Sequence, residues 1–161
     1  MNAWENFFLG ELGAAAALAG LLFVAVSVNQ ARILALGRMA DRGLEALVML
    51  LLVIIVASLP LIPGQPVRIL GGEVFGIGMV TLLGLLPLQR GYLKTVTAPH
   101  RRRSGRMVLC NRLSIAVIVL GGAVVLGRGD LRGLYLLPIG IFMTFTAVGV
   151  NAWVLLIEIN R

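Results

Sequence analysis

The chain has 161 residues, 59% of them hydrophobic and 13% charged, where a soluble domain carries about a quarter charged. A soluble domain of this size keeps much of its surface in water, so the composition excludes a soluble globular protein and puts apolar surface against lipid. The net charge of +7 sits mostly in one stretch between apolar runs, which marks topology rather than a nucleic-acid surface.

Crossing a bilayer takes about 20 predominantly apolar residues. The first predicted span is 10–31, with 12–28 free of charge. No Lys or Arg precedes Arg32, so the basic start of a cleaved signal peptide is missing and this span is expected to stay in the protein. The second span is 44–62, closed by Pro60 and Pro63, and the third is 67–88, which includes Glu73. The fourth, 107–127, reaches full length only if 107–110 belongs to it and Arg112 snorkels to the headgroups. The fifth is 134–157, and the GRGDLRG turn before it predicts an antiparallel hairpin. The fold class expected is all-α, a polytopic five-span bundle in one transmembrane domain over 1–161, with a basic cytoplasmic loop at 89–112.

Basic residues set the orientation. Arg32, Arg38, Arg42, the seven bases between Arg90 and Arg112, and Arg161 fall on one side, eleven in all, against Arg68, Arg128 and Arg132 on the other. Basic loops stay in the cytoplasm, which places the N-terminus outside and the C-terminus inside. Trp4 and Tyr135 then fall at the outer edge, Tyr92 and Trp153 near the inner one, as an interfacial aromatic belt requires.

Helices in lipid associate through close packing of small residues. Span one carries Gly13, Ala17, Gly20, Val24 and Ser27 at helical spacing, span three a Gly72/Gly76 pair, and span five Gly140, Thr144, Ala147 and Asn151. Span two is almost entirely large, LVMLLLVIIV. On this pattern spans one, three and five are central and span two peripheral. The small faces either pack the helices of one chain or join copies into a homo-oligomer.

An ionisable group inside a span costs about 2.5–3.5 kcal/mol at the bilayer centre. Glu11 and Glu73 lie toward the outer side, Glu45 and Glu158 toward the inner, each with arginines at similar depth. Glu73, Thr144, Asn151 and Glu158 are the candidates for a polar path or a packing bond. Arg101, Arg102, Arg103 and Arg106 are candidates for anionic lipid headgroups, which attract such residues at about 1 kcal/mol each. No aromatic platform accompanies these bases, so no nucleic-acid partner is expected. Cys110 and His100 are single, which leaves no disulfide and no metal set. Ser27, Ser58 and Ser114 have no histidine in a span to activate them, so neither catalytic residues nor a cofactor are expected.

The opening WENFF…GAAAALAGLLFVAVSVN and the closing NAWVLLIEI resemble a group of small bacterial membrane proteins, some of which carry the label modulator of FtsH protease. The resemblance implies a bacterial inner-membrane location and a membrane protein partner. Two functions follow as expectations: a non-enzymatic, self-associating channel or transporter subunit, or an accessory protein regulating a larger membrane complex. With Cys110 replaced by Ala, a cysteine at Gly105 should react only with reagents that enter the cytoplasm, and one at Asn2 with impermeant reagent outside. Labelling of both from one side would overturn the five-span topology.

Overall fold

The structure, a computed structural model, describes the backbone of residues 2–35, 39–96 and 98–158, and their side chains except at 2, 3, 32, 34, 35, 39, 98–100 and 154–158. The described residues form α1 (Asn2–Val28), α2 (Gln30–Ala35), α3 (Met39–Ser58), α4 (Val67–Thr95), α5 (Ala98–Arg128) and α6 (Leu136–Glu158). They contain no strand. Backbone polar groups have no water to bond within hydrocarbon, so helices that satisfy themselves are the expected solution. Among the described residues, five helices are long and apolar enough to cross a membrane: Trp4–Val28, Ala40–Leu61, Val67–Thr95, Arg101–Arg128 and Leu131–Trp153.

The breaks between helices have local causes. Asn29 separates α1 from α2, its side-chain amide donating to the Ala25 carbonyl at 2.9 Å. Pro60, Pro63 and Gly64, the last at φ +70°, end α3. Gly129, at φ +68°, turns the chain after α5. The Asp130 carboxylate then accepts from the Arg132 amide at 3.0 Å and caps the 3-10 turn Leu131–Tyr135. α5 and α6 leave this turn as the antiparallel hairpin the sequence predicts.

Residues 89–112 differ from expectation: α4 continues through Thr95 and α5 starts at Ala98. With 29 and 31 residues, these helices run about 43 and 46 Å, the bilayer's thickness with its headgroups included. Arginine and lysine are good helix formers, so the basic residues of this stretch extend the two helices instead of breaking them into a loop.

The packing closes a ring of four helices. α3 touches α4, α4 touches α5, α5 touches α6, and α6 returns to α3. α1 lies outside the ring, mainly against α3. Its N-terminal end meets the 3-10 turn and α6 through aromatic rings, Trp4 with Tyr135 at 4.9 Å between centroids and Phe7 with Phe142 at 6.3 Å.

The ring reverses the expected roles of spans one and two. Only 11% of the apolar stretch of the first span is buried, against 56% of the second. Met49, Leu50, Val53 and Val56 of α3 are fully buried. Size alone misleads here because lipid tails satisfy a leucine as well as protein does. What draws α3 inward is its charge, described below.

Close approach within the ring rests on glycines other than the expected pair. A methyl group on Gly122 would lie 2.5 Å from the Phe75 amide nitrogen and 3.0 Å from the Gly71 carbonyl oxygen. One on Gly71 would run into the Leu126 backbone. Gly72 would make only an ordinary contact with Leu126, and Gly76 faces open space. Gly122→Ala should therefore force α4 and α5 apart and lower stability by about 1–3 kcal/mol, the range for overpacking. Gly76→Ala should be close to neutral, and unfolding of the purified protein in detergent would separate the two.

Candidate functional site

The largest polar constellation lies inside the ring at its basic end, centred on two residues of α3. Arg42 is 7% exposed and Glu45 6%. Three residues apart, they share a helix face. Glu45 Oε1 accepts from Gln89 Nε2 of α4 at 2.6 Å and from Asn111 Nδ2 of α5 at 2.8 Å. Gln89 Oε1 in turn accepts from Arg112 Nε at 2.6 Å. Arg42 Nη2 donates to Asn151 Oδ1 of α6 at 2.8 Å and contacts Met107 Sδ of α5 at 3.3 Å. The Arg42 guanidinium carbon also stands 5.4 Å from the Tyr92 ring centre. Tyr92 Oη and Ser104 Oγ share a hydrogen bond at 3.1 Å.

One arginine and one glutamate thus tie α3 to all three other ring helices. Among the described residues, eight polar or charged side chains are buried. Six of them, Arg42, Glu45, Gln89, Ser104, Asn111 and Asn151, belong to this network. The other two bond within their own helix: Ser114 Oγ donates to the Asn111 carbonyl, and Thr144 Oγ1 to the Gly140 carbonyl, each at 2.8 Å. Toward the opposite end the ring's buried residues are apolar, among them Val53, Val74, Ile118, Leu137 and Ile141.

The sequence candidates are distributed as follows. Thr144 and Asn151 are both buried on α6, but only Asn151 bonds to another helix. Glu73 is half-buried near the start of α4 and accepts from Gln65 Nε2, at the far end from the network. On two half-buried side chains, the buried oxygens Glu11 Oε2 and Gln65 Oε1 have no hydrogen-bond partner among the described residues. The side chain of Glu158 lies outside the described residues. Gly140 packs tightly against Ile118 and the Ser114 carbonyl of α5. Gly13 and Gly20 have nothing within 4 Å, and Ala17 and Ser27 are exposed. Arg101, Arg102, Arg103 and Arg106 are exposed near the start of α5.

Gln89 escapes sequence reasoning because it falls in the predicted loop, while Asn111 and Arg112 fall where that loop overlaps the fourth span, and there Arg112 is expected to snorkel to the headgroups. A signal was present. Ser104, Val108, Asn111, Ile115 and Ile118 repeat at three and four residues and are all buried, which carries the apolar stripe of α5 straight into the basic segment.

Fold and site together define an all-α, multi-pass integral membrane protein with a buried polar network at one end. Comparison with family models, with curated proteins and with solved structures finds no match to this chain.

Asn151→Leu should leave the buried Arg42 guanidinium short of its acceptor. The expected loss is about 1.5–3 kcal/mol, as for hydrogen bonds to charged groups, and above the average of about 0.6 kcal/mol for interhelical bonds in lipid. Thr144→Ala removes only a bond within α6 and should cost less. Steric-trapping measurements of unfolding in bicelles would rank the two, and equal losses would deny Arg42–Asn151 its special weight.

Proposed function

We propose that this chain is a non-enzymatic accessory protein of the bacterial cytoplasmic membrane, acting by lateral helix association through α1. Its N-terminus is outside and its C-terminus inside, with the basic end of the ring at the cytoplasmic leaflet. The observation that carries this reading is the placement of α1. It leans on the ring mainly through α3 while Gly13, Ala17, Gly20 and Ser27 point away from it. Small residues on an uncovered transmembrane face let a second helix approach closely, and dispersion then holds the pair.

A conducting path through the ring has less support. The interior is occupied at the basic end by the Arg42–Glu45 network and toward the other end by fully buried Val53, Ile118, Leu137 and Ile141. Moving an ion along that axis would require breaking bonds to both charges and then wetting an apolar plug. Such a ring acts as a rigid support for the outer helix. A second copy is the first partner to test, and a membrane protease complex, which the resemblance of the two chain ends suggests, is the next.

Two measurements test the reading. Gly13→Leu with Gly20→Leu should abolish association, read as oligomer mass in nanodiscs or as recovery of a cross-linked complex from native membranes. Unfolding of the monomer should change little, because both positions are open. Proteoliposomes of the purified chain should show no flux of ions or small solutes above that of empty vesicles. Flux that Asn151→Leu abolishes would replace the accessory role with a channel.

A further inference from the structure

A lateral groove of about 620 Å³ opens between α5 and α6 in the basic half of the bundle. Arg103 and Arg106 stand at its mouth, both exposed. Its wall is formed by Cys110 of α5 and by Phe142, Thr146 and Val150 of α6. These wall residues are themselves exposed, Phe142 at 53% and Val150 at 46%, so the groove faces the surroundings of the bundle and not the ring interior. Along α6 it extends from Phe142 to Asn151. Nine residue steps at 1.5 Å make about 14 Å, and half of a 30 Å hydrocarbon core is about 15 Å.

The groove therefore covers the depth of one leaflet, with two fixed positive charges at its headgroup end. Its volume lies within the range of about 300–1,000 Å³ typical of small-molecule sites. Beside it, Arg102, Gly105, Arg106 and Leu109 line a second shallow recess, so positive charge continues along α5. Guanidinium groups favour phosphate because their fork of donors matches its oxygens.

We propose that this groove binds one anionic phospholipid from the leaflet at the basic end. Arg103 and Arg106 hold the headgroup phosphate. One acyl chain lies along Cys110, Phe142, Thr146 and Val150, closing the α5–α6 seam next to Asn111 and Asn151 of the polar network. The site rests on membrane insertion of the chain, as the proposed function does, but needs no association through α1.

The test is native mass spectrometry of the full chain, titrated with phosphatidylglycerol or phosphatidylcholine. One phosphatidylglycerol should bind in preference to phosphatidylcholine. Arg103→Ala with Arg106→Ala should weaken it about 30-fold, from the headgroup attraction of two basic residues. Arg90→Ala with Arg128→Ala changes net charge equally and should leave binding intact. Thr146→Trp keeps both arginines but fills the groove, and it too should lose the lipid. Inorganic phosphate should fail to displace the lipid.

In the unaltered chain, alkylation of Cys110 should slow in phosphatidylglycerol nanodiscs relative to phosphatidylcholine ones. That readout does not depend on any variant folding. Equal binding of the two lipids, retention of phosphatidylglycerol in Thr146→Trp, displacement by phosphate, or Cys110 alkylation indifferent to the lipid would each overturn the proposal. Oligomer mass is read in the same spectra, so lipid binding can fail while association through α1 stands, and the reverse.

Discussion

A charged side chain inside a bilayer has to be matched from within the protein, because lipid offers it neither water nor hydrogen bonds. Arg42 and Glu45 put that demand on α3 twice, one turn apart. No single neighbouring helix meets it. Glu45 takes its donors from α4 and α5, and Arg42 its acceptor from α6. The helix that carries the charges must therefore be surrounded, and the closed ring of α3, α4, α5 and α6 follows. Helix order, the depth of the network and the burial of the second span are consequences of this one requirement.

The opposite half of the ring is held by different physics. Its buried side chains are aliphatic and gain little over lipid from contact alone, so shape must supply the attraction. Gly71 and Gly122 let the α4 and α5 backbones approach closely enough for dispersion to accumulate along the pair. Polar matching at one end and close packing at the other leave no role in the ring for α1. Its described charges inside the span are Glu5 and Glu11, both near the N-terminal end, and it finds its place through Phe7, Phe8 and Trp4 at the end where Tyr135 stands.

The surfaces left available for function accordingly point sideways. One is the small-residue face of α1, and the other is the α5–α6 groove beneath its arginines. Both open toward the membrane plane, where lipids and other membrane proteins are met. A filled ring backs both surfaces, which suits the proposed lateral association because a preorganised face loses less entropy on binding. The proposed role rests on what the bundle shows its neighbours, and the interior holds those faces in place.

Hydropathy and base placement were enough to read five apolar helices, the hairpin at GRGDLRG and the shared edge of Trp4 and Tyr135. Those features depend on local sequence, since span length, charge and turn chemistry act within a few residues. Burial was not legible in the same way. Large apolar residues are equally at home against lipid and protein, so LVMLLLVIIV did not announce that α3 is central, and the glycines of α1 did not announce that they face outward. The polar network was hidden for a related reason. Glu45 has its partners 44 and 66 residues away, at Gln89 and Asn111, at the two ends of a stretch whose charge resembled a loop. Which helices close around Arg42 and Glu45 is decided by hydrogen bonds between distant segments, and only the tertiary structure brings those segments together.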